Sequence, residues 1–207
     1  MVPTKKLFEN EIYINKTLKL LEDLDIIPNN LNHYLLAFVH RSLVNEKPDL
    51  SPEHNERLEF LWDAVLELVI TWFLYNDFPK RPEGELTDLR SLIVKWKNLA
   101  LVSRELDFSK YLILWKWEEL SWWRNNDYLL ANCLEAFIWA LYLDLWFEVA
   151  SDFITKHIYS KLNDLIKNAE LKDYKSLLQE YTQRVFMITP EYKVLKEPWE
   201  DRVKIFF

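Results

Sequence analysis

Apolar residues recur at three- and four-residue intervals along most of the chain, and this pattern predicts long amphipathic helices. Asn30 to Leu43 (NLNHYLLAFVHRSL) opens on two cap candidates, Asn30 and Asn32, and predicts one helix. His54 to Tyr75 carries Leu58, Leu61, Val65, Leu68 and Val69 at helical spacing, and Glu83 to Leu106, Asn126 to Leu145 and Phe147 to Asn168 predict further helices. Breakers stand where such helices should end: Pro48 and Pro52 ahead of the second, Pro79 and Pro82 just before Gly84. Lys167 to Lys172 (KNAELK) reads as a polar joint, after which the texture changes. Asp173 to Gln183 predicts a short helix, and Pro190 to Lys196 and Arg202 to Phe207 alternate like two strands. A helix and two strands do not close a core alone, so this tail reads as a fragment of a small α+β module.

Composition narrows the class. A chain of 207 residues can bury a real core. No stretch approaches eighteen apolar residues without a charge, so no membrane span is expected. The N-terminal MVPTKKLFENEIY lacks the apolar run of a secretory signal, and a cytoplasmic location is the expectation. The single Cys133 allows no internal disulfide, and the four scattered histidines form no zinc pattern. A net charge of -7 argues against bulk electrostatic binding of nucleic acid, yet is compatible with acids that hold divalent cations.

Two pairs of polar residues suit such chemistry. Glu59 and Asp63 stand four apart in EFLWDAVLEL and share a helix face, with Glu56 a turn earlier; Asn132 and Glu135 stand three apart in the apolar NDYLLANCLEAF. If the two helices pack together, three carboxylates and an amide oxygen meet, a hard-oxygen set for Mg²⁺ or Mn²⁺. The competing reading is an ordinary solvated acidic face. A ferritin-like carboxylate bundle is excluded, because no histidine follows a glutamate at the spacing it requires. Cys133 reads as core.

The segment HNERLEFLWDAVLELV, residues 54 to 69, closely resembles the signature helix of bacterial ribonuclease III. The likeness continues through AFVHRSLVNE (37 to 46), FPKRPEGELTDLRSLIVKWKNLA (78 to 100), EELSWWRNNDYLLANCLEAFIWALYLD (118 to 144) and DYKSLLQEYTQ (173 to 183). This resemblance implies an all-α ribonuclease III endonuclease domain over residues 1–168, which forms a homodimer. A partial α+β (α-β-β) double-stranded RNA-binding domain would follow over residues 171–207. It implies Mg²⁺, with Mn²⁺ as a substitute, held by Glu59, Asp63, Asn132 and Glu135, of which Asp63 and Glu135 would be catalytic. Glu56 and Glu83 match cleft acids of the family, and Gln179 and Gln183 match positions that reach the minor groove of duplex RNA. The implied activity is metal-assisted hydrolysis of double-stranded RNA to staggered ends, in the processing of ribosomal RNA precursors and some messenger RNAs. The alternative is a non-catalytic RNA-binding or ribosome-associated relative that keeps the fold.

The chain departs from the family in three respects. Asn132 stands where an aspartate is often found, so weaker Mg²⁺ binding is expected. The sequence stops at Phe207, about where a third strand and last helix would follow; from Leu171 onward seven Lys or Arg oppose six Asp or Glu, a net of +1. RNA binding through this tail is therefore expected to be weak and salt-sensitive. Finally, the chain has one glycine and ten tryptophans, where typical usage of about 7% would give roughly fifteen glycines. Trp62, Trp96, Trp117, Trp122, Trp123, Trp139 and Trp146 fall where the family typically has glycine, as do Trp115 and Trp199, whereas Trp72 is unassigned. Some bacteria read UGA as glycine, and a common alternative code reads it as tryptophan. The two anomalies together point to UGA codons translated with the wrong table.

Overall fold

A computed structural model describes residues 8–46, 51, 53–115, 123–172 and 174–191; within these, the side chains of 57–63, 123, 168–172, 174–177 and 180 are outside the description. The chain divides into two compact units, Met1–Leu162 and Asn163–Phe207. Helices dominate the described residues of both.

The first unit is built around a helix buried on nearly every side. In order, its helices are α1 (Glu11–Asp23), α2 (Leu31–Ala37), α3 (Arg41–Glu46), α4 (Glu56–Asp77), α5 (Glu83–Ile93), α6 (Trp96–Glu105) and α7 (Asp127–His157). Asn126 starts α7 by accepting from the N–H groups of Tyr128 and Leu129 at 2.9 and 3.4 Å. From Leu129 to Leu141 the helix is apolar almost all round, and α2, α4 and α6 pack against it. Phe137 is the hub of this core, with ring centroids of Tyr34, Phe38, Phe108 and Phe153 at 5.7, 6.0, 4.9 and 5.4 Å. One helical stretch is membrane-length by composition alone. Asp127–Lys167 holds an 18-residue window of mean hydropathy 1.4, long and apolar enough to span, but 72% of that window is buried inside the protein.

One carboxylate ties the far end of α7 to the N-terminal region. Asp144, 7% exposed, accepts from the backbone N–H groups of Asn29 and Asn30 at 2.9 and 2.7 Å and from the Tyr34 hydroxyl at 3.0 Å. The Asn29 side-chain amide donates to the Asp144 carbonyl at 3.0 Å. Burial, and then this hydrogen bond, raises the Tyr34 pKa far above its usual value, so the phenol remains a donor.

The observed elements differ from the periodic pattern at several places. The helix predicted over Asn30–Leu43 is two short helices, because Val39 leaves helical geometry to bridge Ile113: Ile113 N–H donates to Phe38 at 2.8 Å and His40 N–H to Ile113 at 3.2 Å. The helix predicted over Glu83–Leu106 breaks after Ile93, where the Asn98 side-chain amide donates to the Leu92 carbonyl at 2.5 Å. The two helices predicted over Asn126–Leu145 and Phe147–Asn168 meet at a kink centred on Trp146 inside α7, and the second ends early, at His157, with a 3-10 turn over Tyr159–Lys161 before a new helix starts at Leu162. Helix α1 was not predicted; Asn10 caps it by accepting from Ile12 N–H at 3.0 Å, and its buried stripe is only Thr17, Leu20 and Leu21.

In the second unit, α8 (Leu162–Lys172), whose first residue closes the first unit, runs through the predicted polar joint, which is therefore helical. Helix α9 (Tyr174–Phe186) ends at Met187 in left-handed geometry, with Ile188 N–H donating to Thr182 at 3.4 Å. Apart from Pro190 and Glu191, the predicted strands Pro190–Lys196 and Arg202–Phe207 lie outside the described residues.

Removing the Asp144 carboxylate leaves the buried Tyr34 hydroxyl and two part-buried backbone N–H groups unpaired. Asp144→Ala is expected to lower unfolding stability by about 2–4 kcal/mol and Tyr34→Phe by about 1 kcal/mol. Urea denaturation checks both, and equal losses would contradict the central role of the carboxylate.

Candidate active site

The helix carrying the first acidic pair is fixed at its start by residues distant in sequence. Asn55, just ahead of α4, is buried; its backbone N–H donates to the Val39 carbonyl at 3.0 Å and its side-chain amide to the Ala37 carbonyl at 3.3 Å. Val39 is in turn bridged to Ile113, so three chain segments set where α4 begins. Glu59 and Asp63 stand four residues apart in α4, which puts their Cβ atoms on one helix face. Their side chains, and that of Trp62, lie outside the described residues.

The second pair sits on the core helix, and α4 and α7 pack against each other. Glu135 is only 6% exposed and Asn132 is half-buried, and each has a partner. Three-residue spacing places both on one face of α7. A carboxylate at that depth is costly unless it is paired, hydrogen-bonded or held to a cation. Beside them Cys133 is fully buried; burial pushes its thiol well above the usual range, so it stays protonated and belongs to the core.

The flanking acids occupy different surroundings. Glu56, at the first turn of α4, faces Arg41 Nη1 at 3.3 Å and His54 Nδ1 at 3.8 Å. Glu83 opens α5 and accepts from Thr87 Oγ1 at 3.1 Å, lining an open cavity of about 450 Å³ with Thr71, Leu74, Arg81 and Arg90. Among the described residues, no three of His, Cys, Asp and Glu converge to hold a metal ion. In the second unit, Gln179 is half-buried, whereas Gln183 is exposed and donates from Nε2 to Thr189 Oγ1 at 3.2 Å.

Sequence reasoning missed Arg41 and its surroundings. His40 Nδ1 lies 3.0 Å from Ser42 Oγ, and that hydroxyl accepts from Trp115 N–H at 3.3 Å. The cluster follows from the bridge between Val39 and Ile113, which no local periodicity encodes.

Comparison with known proteins gives concordant matches. Residues 30–162 match a family profile described as Ribonuclease-III-like. The chain is 42% identical over 186 residues to a Ribonuclease 3 of Borreliella afzelii, covering 90% of this chain and 76% of that protein. It is 41% identical over 191 residues to a Ribonuclease 3 of Enterococcus faecalis, covering 92% and 83%. A solved nuclease domain of ribonuclease III from Campylobacter jejuni, with structural flexibility in its region involved in dimer formation, superposes with a TM-score of 0.63 at 32% identity. That match covers 69% of this chain and 95% of the other.

The pairing of Glu56 with Arg41 is solvent-exposed on both sides, at 42% and 62% side-chain exposure, so it contributes little to folding. Glu56→Ala is expected to change stability by less than about 1 kcal/mol. A thermal melt checks this, and any larger change in RNA cleavage by the variant then reports on function rather than on folding.

Proposed function

The chain belongs to the ribonuclease III family, and on that premise we propose an endoribonuclease that hydrolyses double-stranded RNA with Mg²⁺. The observation that carries the reading is the polar pair Asn132 and Glu135, set into the apolar core helix α7 against the helix that bears Glu59 and Asp63.

The donor chemistry fits the ion. Asn132 offers an amide oxygen and Glu135 a carboxylate, while the adjacent Cys133 thiol is held protonated and is no ligand. With Glu59 and Asp63, this is an all-oxygen set for Mg²⁺, with Mn²⁺ as a substitute. Bound there, the ion supplies positive charge to the scissile phosphodiester and acidifies an attacking water. Glu59 and Asn132 would hold the ion, and Asp63 and Glu135 would hold it and orient the attacking water. Asn132 contributes no charge, so the site holds the ion more weakly than four carboxylates would. Glu56 would add an acid one turn ahead of Glu59, where Arg41 pairs with it, whereas Glu83 would add one at the other end of α4, beside Thr71 and Leu74.

Recognition rests on duplex shape, phosphates and 2′-hydroxyls, since A-form RNA hides its base edges in a narrow major groove. Residues 1–168 form the catalytic domain, and residues 171–207 belong to a double-stranded RNA-binding domain in which Gln179 and Gln183 face the minor groove. Ribosomal RNA precursors and some messenger RNAs are the proposed substrates, in the cytoplasm. A homodimer places two sites across the duplex and leaves staggered ends. Leu68, Trp72 and Tyr75 support that assembly: they form an exposed apolar stripe on α4 at helical spacing, suited to a second copy.

Cleavage of a long RNA duplex is expected to require Mg²⁺ and to stop with EDTA. Glu135→Gln should lower the rate by at least about 10–100-fold with duplex binding retained, the range seen even for outer-shell partners of a metal. Asn132→Asp should lower the Mg²⁺ concentration for half-maximal cleavage, and an unchanged Mg²⁺ dependence would count against its place among the ligands. Leu68→Glu should shift the protein from dimer to monomer in sedimentation; a dimer that survives it would move the interface elsewhere.

A further inference from the structure

Residue 146 has a backbone that suits no tryptophan. Inside α7 it adopts φ 66° and ψ −172°, a region populated essentially by glycine because a Cβ collides with the flanking peptide groups. The other described non-glycine residues at positive φ, Asp25, Asp107 and Met187, have φ of 59°, 58° and 55°, and aspartate tolerates this geometry. For Trp146 no burial offsets the strain, since its side chain is 71% exposed.

The kink cannot be relaxed away, because both sides of it are fixed. Two residues earlier, Asp144 is clamped to Asn29, Asn30 and Tyr34. A turn later, Ala150, Phe153 and Ile154 are buried. The chain must change direction between two anchored segments, and only a residue without a side chain does so without strain.

We propose that residue 146 is glycine in the cell, encoded by a UGA codon that the organism reads as glycine. Two independent observations carry the proposal, the local geometry at 146 and the bulk ratio of one glycine to ten tryptophans. The proposal extends to Trp139, which stands on the same helix, and to the other tryptophans aligned above with family glycines. Trp72, which lies in the middle of α4 with helical geometry, stays unassigned.

Mass spectrometry of the protein isolated from its own cells tests this directly. The tryptic peptide spanning residues 125 to 156 is expected to carry glycine at 146, with UGA at that codon in the gene. Tryptophan in the peptide, or UGG in the gene, overturns the proposal whether or not the written chain folds. A second arm uses recombinant protein made with tryptophan throughout. Trp146→Gly is expected to raise Tm by about 2–10 °C by releasing the strain, whereas Trp72→Gly, in a regular helix, should lower it by about 2–4 °C. An unchanged or lower Tm for Trp146→Gly overturns the conformational argument.

Discussion

The burial of α7 on almost every side constrains everything else in the first unit. Where α7 is buried it has no solvated face on which to place polar groups, so each one it carries there must be satisfied by a specific partner. Asp144 shows what that demands: two backbone N–H groups and a phenol converge on one carboxylate. Glu135 sits at comparable depth on the same helix, and is the acid proposed above for the catalytic set. Two acids of one helix thus meet the same desolvation cost, one by closing the scaffold and the other, on the proposed function, by serving the reaction. Phe137, between them in sequence, is the hub of the aromatic cluster in the core.

How legible the molecule was follows from how local each interaction is. The main span of α4 and the break near residue 146 were visible, because hydrophobic spacing and the dense apolar run are local properties. The ends of α2 and α5 were not. The first is set by a bridge to residue 113, and the second by one side-chain amide turning back onto a carbonyl. Helix α1 escaped notice because its buried stripe is too narrow to dominate its periodicity. The joint expected at Lys167–Lys172 is helical, since polar composition does not by itself oppose helix formation.

The candidate site shows the same division. Asn132 and Glu135 stood out as polar residues in an apolar run, and Asp144 carries the same signature in LYLDLW. Sequence alone does not distinguish a ligand from a clamp, because the distinction lies in what faces the side chain from other elements. The partner of Asp144 is more than a hundred residues away, and so, on a smaller scale, is Arg41 separated from Glu56. By contrast, the entry to α4 depends on Asn55 reaching Ala37 and Val39. That asparagine belongs to the signature helix, and its role there is to set the register of the acids that follow.

The clamp at Asp144 also bears on synthesis. Its donors on Asn29 and Asn30 lie 115 and 114 positions upstream, and a ribosome adding about 5–20 residues per second needs roughly 6–23 s to cover that distance. Through that interval the first turn of α2 has no carboxylate to receive its backbone, and Tyr34 has no core to enter. The N-terminal third of the nascent chain therefore waits, exposed to chaperones and proteases, for a helix that has not yet been made.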